Sequence, residues 1–182
     1  MHEPQLTASR RPVSLIGMPG SGKSSVGKEV AKRLGRRFVD SDKVIEAHVG
    51  CTIAQLFERD GEEAFRDLEA TVLADLVQDE SSVIATGGGA VLRSSNRDLL
   101  RARSACVFLS ATPGFLWRRL RRDRRRPLLQ VAEPQVRLQQ LFVEREPLYR
   151  ETASIVIDVE RLSLDDVAGI VVGRLAPAVQ GP

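Results

Sequence analysis

One nine-residue stretch constrains this chain more than any other. Gly17-Met-Pro-Gly-Ser-Gly-Lys-Ser-Ser25 satisfies the spacing G-x-x-x-x-G-K-[ST]. A short apolar β-prone run at 13–16 precedes it and a helical pattern at 26–34 follows it. A strand that feeds a helix through a glycine-rich turn aims backbone N–H groups and the positive end of the helix dipole at one spot, a ready anion site. Gly17, Gly20 and Gly22 permit backbone angles and close approach that a Cβ would hinder. Lys23 would reach the β- and γ-phosphates of a nucleoside triphosphate, and Ser24 would offer a hydroxyl to Mg²⁺. The stretch points to a nucleotide and is silent about the acceptor of a phosphoryl group.

Four more runs repeat the β pattern, at 37–39, 82–86, 105–109 and 154–158. Continuous apolar runs of this length suit parallel strands buried on both faces. Helical patterns fill the intervals and carry start signals. Thr52 and Gln55 can form a capping box ahead of 53–59. Gly61 precedes 62–77, where Phe65, Leu68, Val72, Leu73 and Leu76 keep helical spacing. Thr112 before Pro113 reads as an N-cap with proline at the first helical position. Ser163, followed by Asp165 and Asp166, opens a last helix over Val167, Ile170, Val171 and Leu175. Five alternations of strand and helix predict a layered α/β fold. The 182 residues, 42% hydrophobic, suffice for one core. Residues 12–175 are expected to form a single domain, with 1–11 and 176–182 as frayed tails.

Charge narrows the partners. Arginine outnumbers lysine 23 to 4, and seven arginines fall between Arg118 and Arg126. That run carries +6 in a chain whose total is +3, so the rest carries −3. A local basic run without interleaved aromatics argues against a nucleic-acid partner. Part of it reads as a solvated helix face and part as an ATP lid, about 118–130, that excludes water. Apolar runs are too short to span a bilayer, and the first eleven residues lack the apolar region of a signal peptide. Cys51 and Cys106 stand in no metal or redox spacing, so two reduced thiols in a cytoplasmic protein are expected. No nucleic-acid or membrane partner is expected, and the chain is taken as a monomer.

Three further segments carry candidate acceptor chemistry. In Phe38-Val-Asp-Ser-Asp42, period-two alternation places Asp40 and Asp42 on one side of a strand's C-terminal end, where open α/β sheets bind ligands; capping of a helix beginning near Val44 is the alternative. On a helix, Glu62 and Glu69 both fall within reach of Arg66, and a braced guanidinium suits a carboxylate ligand; a solvated ion-pair ladder would look the same. Gly87-Gly88-Gly89 follows a strand directly, which suggests close approach of a ligand or another backbone, or a tight turn.

These pieces together resemble the shikimate kinase family. The resemblance spans nearly the whole chain, 13–172. It rests on GMPGSGKSS, FVDSD, the pattern Ile53…Phe57…GEEAFR…Glu69, ATGGGAV, Arg126-Pro-Leu-Leu129 and Arg145-Glu-Pro-Leu-Tyr149, in the family's order. It implies a three-layer P-loop NTPase fold with a five-stranded parallel sheet in the order 2-3-1-4-5, and transfer of phosphate from ATP to shikimate in aromatic amino acid biosynthesis. It also implies Gly20, Ser21, Gly22, Lys23, Ser24 and Ser25 as the ATP-binding loop. Arg119 would stack on adenine, and Arg126 would be the lid arginine that reaches the transferring phosphate. Ser24, and Asp40 through water, would hold Mg²⁺. Asp42 would bind the acceptor hydroxyl and orient or deprotonate it. Arg66, Gly88 and Arg145 would hold shikimate, with Phe57 and Phe65 walling its pocket. The loop at 160–164 is expected to lack the Arg and Pro that often flank the other face of the base, which leaves the adenine contacts open. Gluconate kinases, nucleoside monophosphate kinases and a non-catalytic nucleotide-binding module share the phosphate loop and stand as alternatives. Arg66 with Arg145 and the DSD segment count against them.

Overall fold

In the computed structural model, which describes residues 11–121 and 132–175, five strands form one parallel sheet. They are β1 (Val13–Ile16), β2 (Arg37–Asp40), β3 (Ser82–Ala85), β4 (Ala105–Ser110) and β5 (Ile155–Asp158), in the order β2-β3-β1-β4-β5. Each expected strand is present, with ends shifted by a residue at most. Central β1 pairs Val13 with both Val83 and Ala105, and all four of its residues are buried, as a strand covered on both faces requires. Arg126, the rest of the expected lid beyond residue 121, and the expected tails apart from Arg11 lie outside the described residues. No described helix is long and apolar enough to cross a membrane.

Seven helices connect the described strands: α1 (Lys23–Leu34), α2 (Ser41–Val49), α3 (Ile53–Leu76), α4 (Ser94–Arg103), α5 (Pro113–Leu120), α6 (Pro134–Thr152) and α7 (Leu164–Leu175). The expected caps are in place. Thr52 and Gln55 close a capping box, Thr112 accepts from the Phe115 N–H, and the Ser163 and Asp166 side chains cap α7 reciprocally. Helices α4 and α6 have no side-chain cap, which is why no start signal marked them; Pro134 at the first position of α6 was the one clue.

One correction follows from capping. Helix α2 begins at Ser41 rather than near Val44, because the Asp40 carboxylate accepts from the Asp42 and Lys43 N–H groups. Asp42 therefore stands in the first turn of a helix, not on a strand continuing from Asp40, and period-two alternation does not apply to it. Of the arginine run, Arg118, Arg119 and Arg121 lie among the described residues. Helix α5 ends at Leu120, with Arg118 and Arg119 in its last turn, where cations complement the negative end of the dipole.

The main core lies between the sheet and its helices and includes Leu15, Ile16, Ile84, Phe108, Leu116 and Tyr149. Trp117 packs against this core with Phe115, as its apolar setting predicts. A second, smaller core joins α2 to α3 through Ile45, Leu56, Phe65 and Val72. Helix α3 kinks at Gly61, whose φ of 83° and ψ of 174° no side-chain-bearing residue adopts cheaply. Residues on both sides of the kink, Leu56 before it and Phe65 and Val72 after it, pack with Ile45 of α2.

Candidate active site

The phosphate loop closes on itself. Gly20 and Gly22 have φ of 85° and 99°, and a Cβ on Gly20 would stand 2.9 Å from the Leu120 side chain, so the loop and α5 are in direct contact. The Lys23 ammonium donates to the Gly17 and Met18 carbonyls at 2.7 and 3.0 Å. Ser21 is buried and its Oγ has no partner among the described residues. The Ser24 hydroxyl donates to Asp40 Oδ2 at 2.9 Å. Asp40 thus holds two positions at once, the cap of α2 and the hydroxyl that follows the lysine.

This pair of oxygens fits a magnesium site. Mg²⁺ keeps several waters and takes one or two protein oxygens beside the phosphates. A described cluster of three or more His, Cys, Asp or Glu side chains is absent, and such a site does not need one.

Lys23, Ser24, Asp40, Asp42, Phe57 and Gly88 line one cleft of about 1040 Å³. Asp42 is its most perturbed acid. Burial pushes its carboxyl up to about 6, repulsion from Asp40 adds to the rise, and the Lys23 ammonium opposes it. The carboxylate is held charged at neutral pH at the expense of desolvation, which makes it a proton acceptor suited to that range.

Arg66 is braced on both sides. Its Nη1 donates to Glu69 Oε2 at 2.7 Å, and its Nε and Nη2 reach Glu62 Oε1 at 3.3 and 3.1 Å. The ion pair with Glu69 is buried, so this is not a solvated ladder. Burial raises the Glu69 carboxyl, and the Arg66 charge acts in the opposite sense. Glu69 Oε1 and Arg145 Nε are both buried and without a hydrogen-bond partner among the described residues, as expected of polar groups awaiting a ligand.

Gly87 and Gly89 are crowded by these side chains, and Gly88 by Pro19. A Cβ on Gly87 would lie 2.7 Å from Asp42 Oδ1 and 2.8 Å from Glu69 Oε1; one on Gly89 would lie 2.5 Å from both terminal nitrogens of Arg66. The close approach at this turn is made by side chains, the acids and the guanidinium, and not by a second backbone as expected. Phe57 lines the cleft, and the buried Phe65 packs behind it with ring centroids 4.7 Å apart. Arg66 also sits over the Phe65 ring, 5.0 Å from its centroid.

Arg119 borders the cleft and a neighbouring hollow of about 650 Å³, which Phe115, Arg118, Glu160 and Arg161 also line. Its Nη1 donates to the Gly20 carbonyl at 3.3 Å. The expectation for the 160–164 loop is corrected in one respect: Arg161 stands there and faces the same hollow as Arg119, although no proline accompanies it. Glu160 accepts from the Thr112 N–H at 2.6 Å and so fixes the loop to the start of α5.

Sequence reasoning passed over two residues of this site. Ser41 is buried, and its Oγ accepts from the Gly87 N–H at 3.0 Å. Tyr149, fully buried, donates its hydroxyl hydrogen to the Gly88 carbonyl. It closes the Arg145-Glu-Pro-Leu-Tyr149 motif, one helical turn after Arg145 on α6, but the motif alone assigned it no role.

The shikimate kinase family model matches residues 19–175. A shikimate kinase of Burkholderia thailandensis is 48% identical over 166 residues, covering 91% of this chain and 90% of the relative. One from Paracidovorax citrulli is 50% identical over 163 residues, covering 88% and 86%. The solved structure of the Acinetobacter baumannii shikimate kinase in complex with shikimate superimposes with a TM-score of 0.88 at 39% identity, covering 92% of this chain and 94% of that one.

Proposed function

The chain belongs to the shikimate kinase family and catalyses ATP-dependent phosphorylation of shikimate, and from that premise we propose a division of labour within the cleft. The observation that carries it is that Lys23, Ser24, Asp42 and Gly88 line one continuous space, wide enough for a nucleotide's phosphates and a small ring acid. The phosphate loop, Gly20 to Ser25, holds ATP. Ser24, with Asp40 through water, would hold Mg²⁺, which would supply charge neutralisation to the phosphates during transfer. Arg66 and Arg145 take the shikimate carboxylate, and Gly88 supports the ring. Phe57, backed by Phe65, walls its apolar side.

Asp42 faces the 3-hydroxyl and orients it towards the γ-phosphorus. As the oxygen–phosphorus bond forms and the bond to the ADP oxygen breaks, the hydroxyl proton passes to Asp42. Lys23 balances the charge that collects on the transferring group. Arg119 and Arg161 flank the adenine. Arg126 keeps the phosphate-directed role that the family resemblance implies. The chain is taken to work as a monomer in the cytoplasm, where ATP is abundant and Cys51 and Cys106 remain thiols.

A panel assay of ADP release with shikimate, gluconate and nucleoside monophosphates tests the acceptor assignment. Release is expected with shikimate alone, and release that depends on another acceptor would overturn it. Arg66→Ala is expected to raise the shikimate KM by about 10–100-fold with ADP affinity unchanged by calorimetry; an unaltered KM would remove Arg66 from the site. Gly89→Ala is expected to reproduce that phenotype without touching a charged group. Its Cβ would displace the guanidinium that lies 2.5 Å from it and so break the bond to Glu69, raising the shikimate KM about tenfold.

A further inference from the structure

The segment that carries Gly88 is held from two opposite sides by residues that touch neither nucleotide nor acceptor in the arrangement above. On one side the Ser41 Oγ accepts from the Gly87 N–H at 3.0 Å. On the other the Tyr149 hydroxyl donates to the Gly88 carbonyl, with Met18 Sδ 3.8 Å away. The two anchored groups belong to neighbouring residues, and each anchor comes from a different part of the chain. Ser41 opens α2 between Asp40 and Asp42. Tyr149 lies on α6, one turn beyond Arg145. Met18 belongs to the phosphate loop, where its carbonyl accepts from Lys23.

Tyr149 is held more tightly than packing alone requires. None of its surface is exposed, and its ring stacks on Phe108 of β4 with centroids 5.1 Å apart. Burial pushes its phenol well above the ordinary tyrosine range, while the nearby Arg145 charge works against that rise. The hydroxyl is thus a permanent donor. A buried tyrosine could satisfy its hydroxyl at any carbonyl; this one does so at the floor of the acceptor site.

We propose that Tyr149 is a positioning residue that sets the acceptor platform at Gly88 in register with the phosphate loop at Met18 and with Arg145 on its own helix, and that Ser41 is its counterpart on the Asp42 side. Phosphoryl transfer tolerates little misplacement between the attacking oxygen and phosphorus. A platform tied to both halves of the site keeps that separation fixed while the acceptor is held at Arg66 and Arg145. The inference rests on the placement of shikimate against Gly88 proposed above.

Tyr149→Phe deletes the hydroxyl and keeps the ring on Phe108. It is expected to raise the shikimate KM about tenfold and to lower kcat severalfold, the loss typical of a carbonyl left without its donor, with ADP affinity unchanged. Phe108→Leu weakens the stack and keeps the hydroxyl; it is expected to lower the melting temperature while leaving the shikimate KM as in the wild type, measured well below melting. Ser41→Ala is expected to raise the same KM, and the double variant Tyr149→Phe/Ser41→Ala should fall short of the product of the two single effects, because both act on one segment. A wild-type shikimate KM in Tyr149→Phe, a KM rise matched by Phe108→Leu, or strictly multiplicative single effects would each overturn the proposal. Arg66→Ala measured in parallel separates the premises. If it leaves the KM unchanged, the placement of the acceptor fails; if it raises the KM and Tyr149→Phe does not, the positioning role alone fails.

Discussion

Asp42→Asn is expected to lower kcat by about 10²–10⁴-fold and, in the nucleotide-free protein at pH 7, to raise the melting temperature. Both effects have one origin. The acid is pushed up to about 6 from 3.8 by burial and by Asp40, so the folded state holds its proton over a range where the unfolded chain has released it. Stability linked to this group is fully present below pH 3.8 and is lost as pH rises towards 6. At pH 7 the deficit is about 3 kcal/mol. Asparagine keeps the shape and removes the buried charge, which corresponds to a gain on the order of 5–10 °C. Thermal melts at pH 7 and pH 4 provide the check, since the advantage should vanish at the lower pH. An Asp42→Asn protein that melts no higher than the wild type at pH 7 would refute the electrostatic origin, and near-normal kcat would refute the assigned role.

The second large effect is expected at Lys23. Lys23→Ala should reduce shikimate-dependent ADP release by about 10³-fold, the scale on which preorganised charge at a transferring group acts. Two features of the loop make this residue more than a phosphate contact. Its ammonium joins the Gly17 and Met18 carbonyls, so alanine removes that donor from both, leaving Met18 the Ser21 N–H. It also holds the Asp42 carboxyl down, so its removal should carry that carboxyl above 6. Carboxyl NMR titration of Asp42 in Lys23→Ala measures this directly. A turnover within tenfold of the wild type, or an Asp42 that titrates lower, would contradict the placement of the charge.

Local chemistry made much of this legible in advance. Strand positions followed from short apolar runs, and the starts of α3, α5 and α7 from side chains that satisfy their own helix ends. The bracing of Arg66 followed from helical spacing. Asp40 and Asp42 were placed in the right neighbourhood for the wrong reason: capping by Asp40 starts α2 earlier than the apolar pattern suggests, and the helix turn aims Asp42 at Gly87. What could not be read was non-local. Tyr149 lies 61 residues from Gly88 and 131 from Met18, and no periodicity connects them. The crowding at Gly87 and Gly89 likewise depends on side chains from α2 and α3 meeting over one turn.

The two separate cores have a kinetic consequence. Ile45, Leu56, Phe65 and Val72 make a small apolar cluster under α2 and the kinked α3, whereas the sheet is stabilised by a far larger one. Segments with little buried apolar area open at lower free energy than the global fold. The acceptor side can therefore breathe as its own cooperative unit while the sheet and phosphate loop stay shut. Amide protons of α2 and of the first turns of α3 should exchange by subglobal opening, and those of β1 and β4 only by complete unfolding. Shikimate entry and product exit then need no melting of the framework that holds the nucleotide.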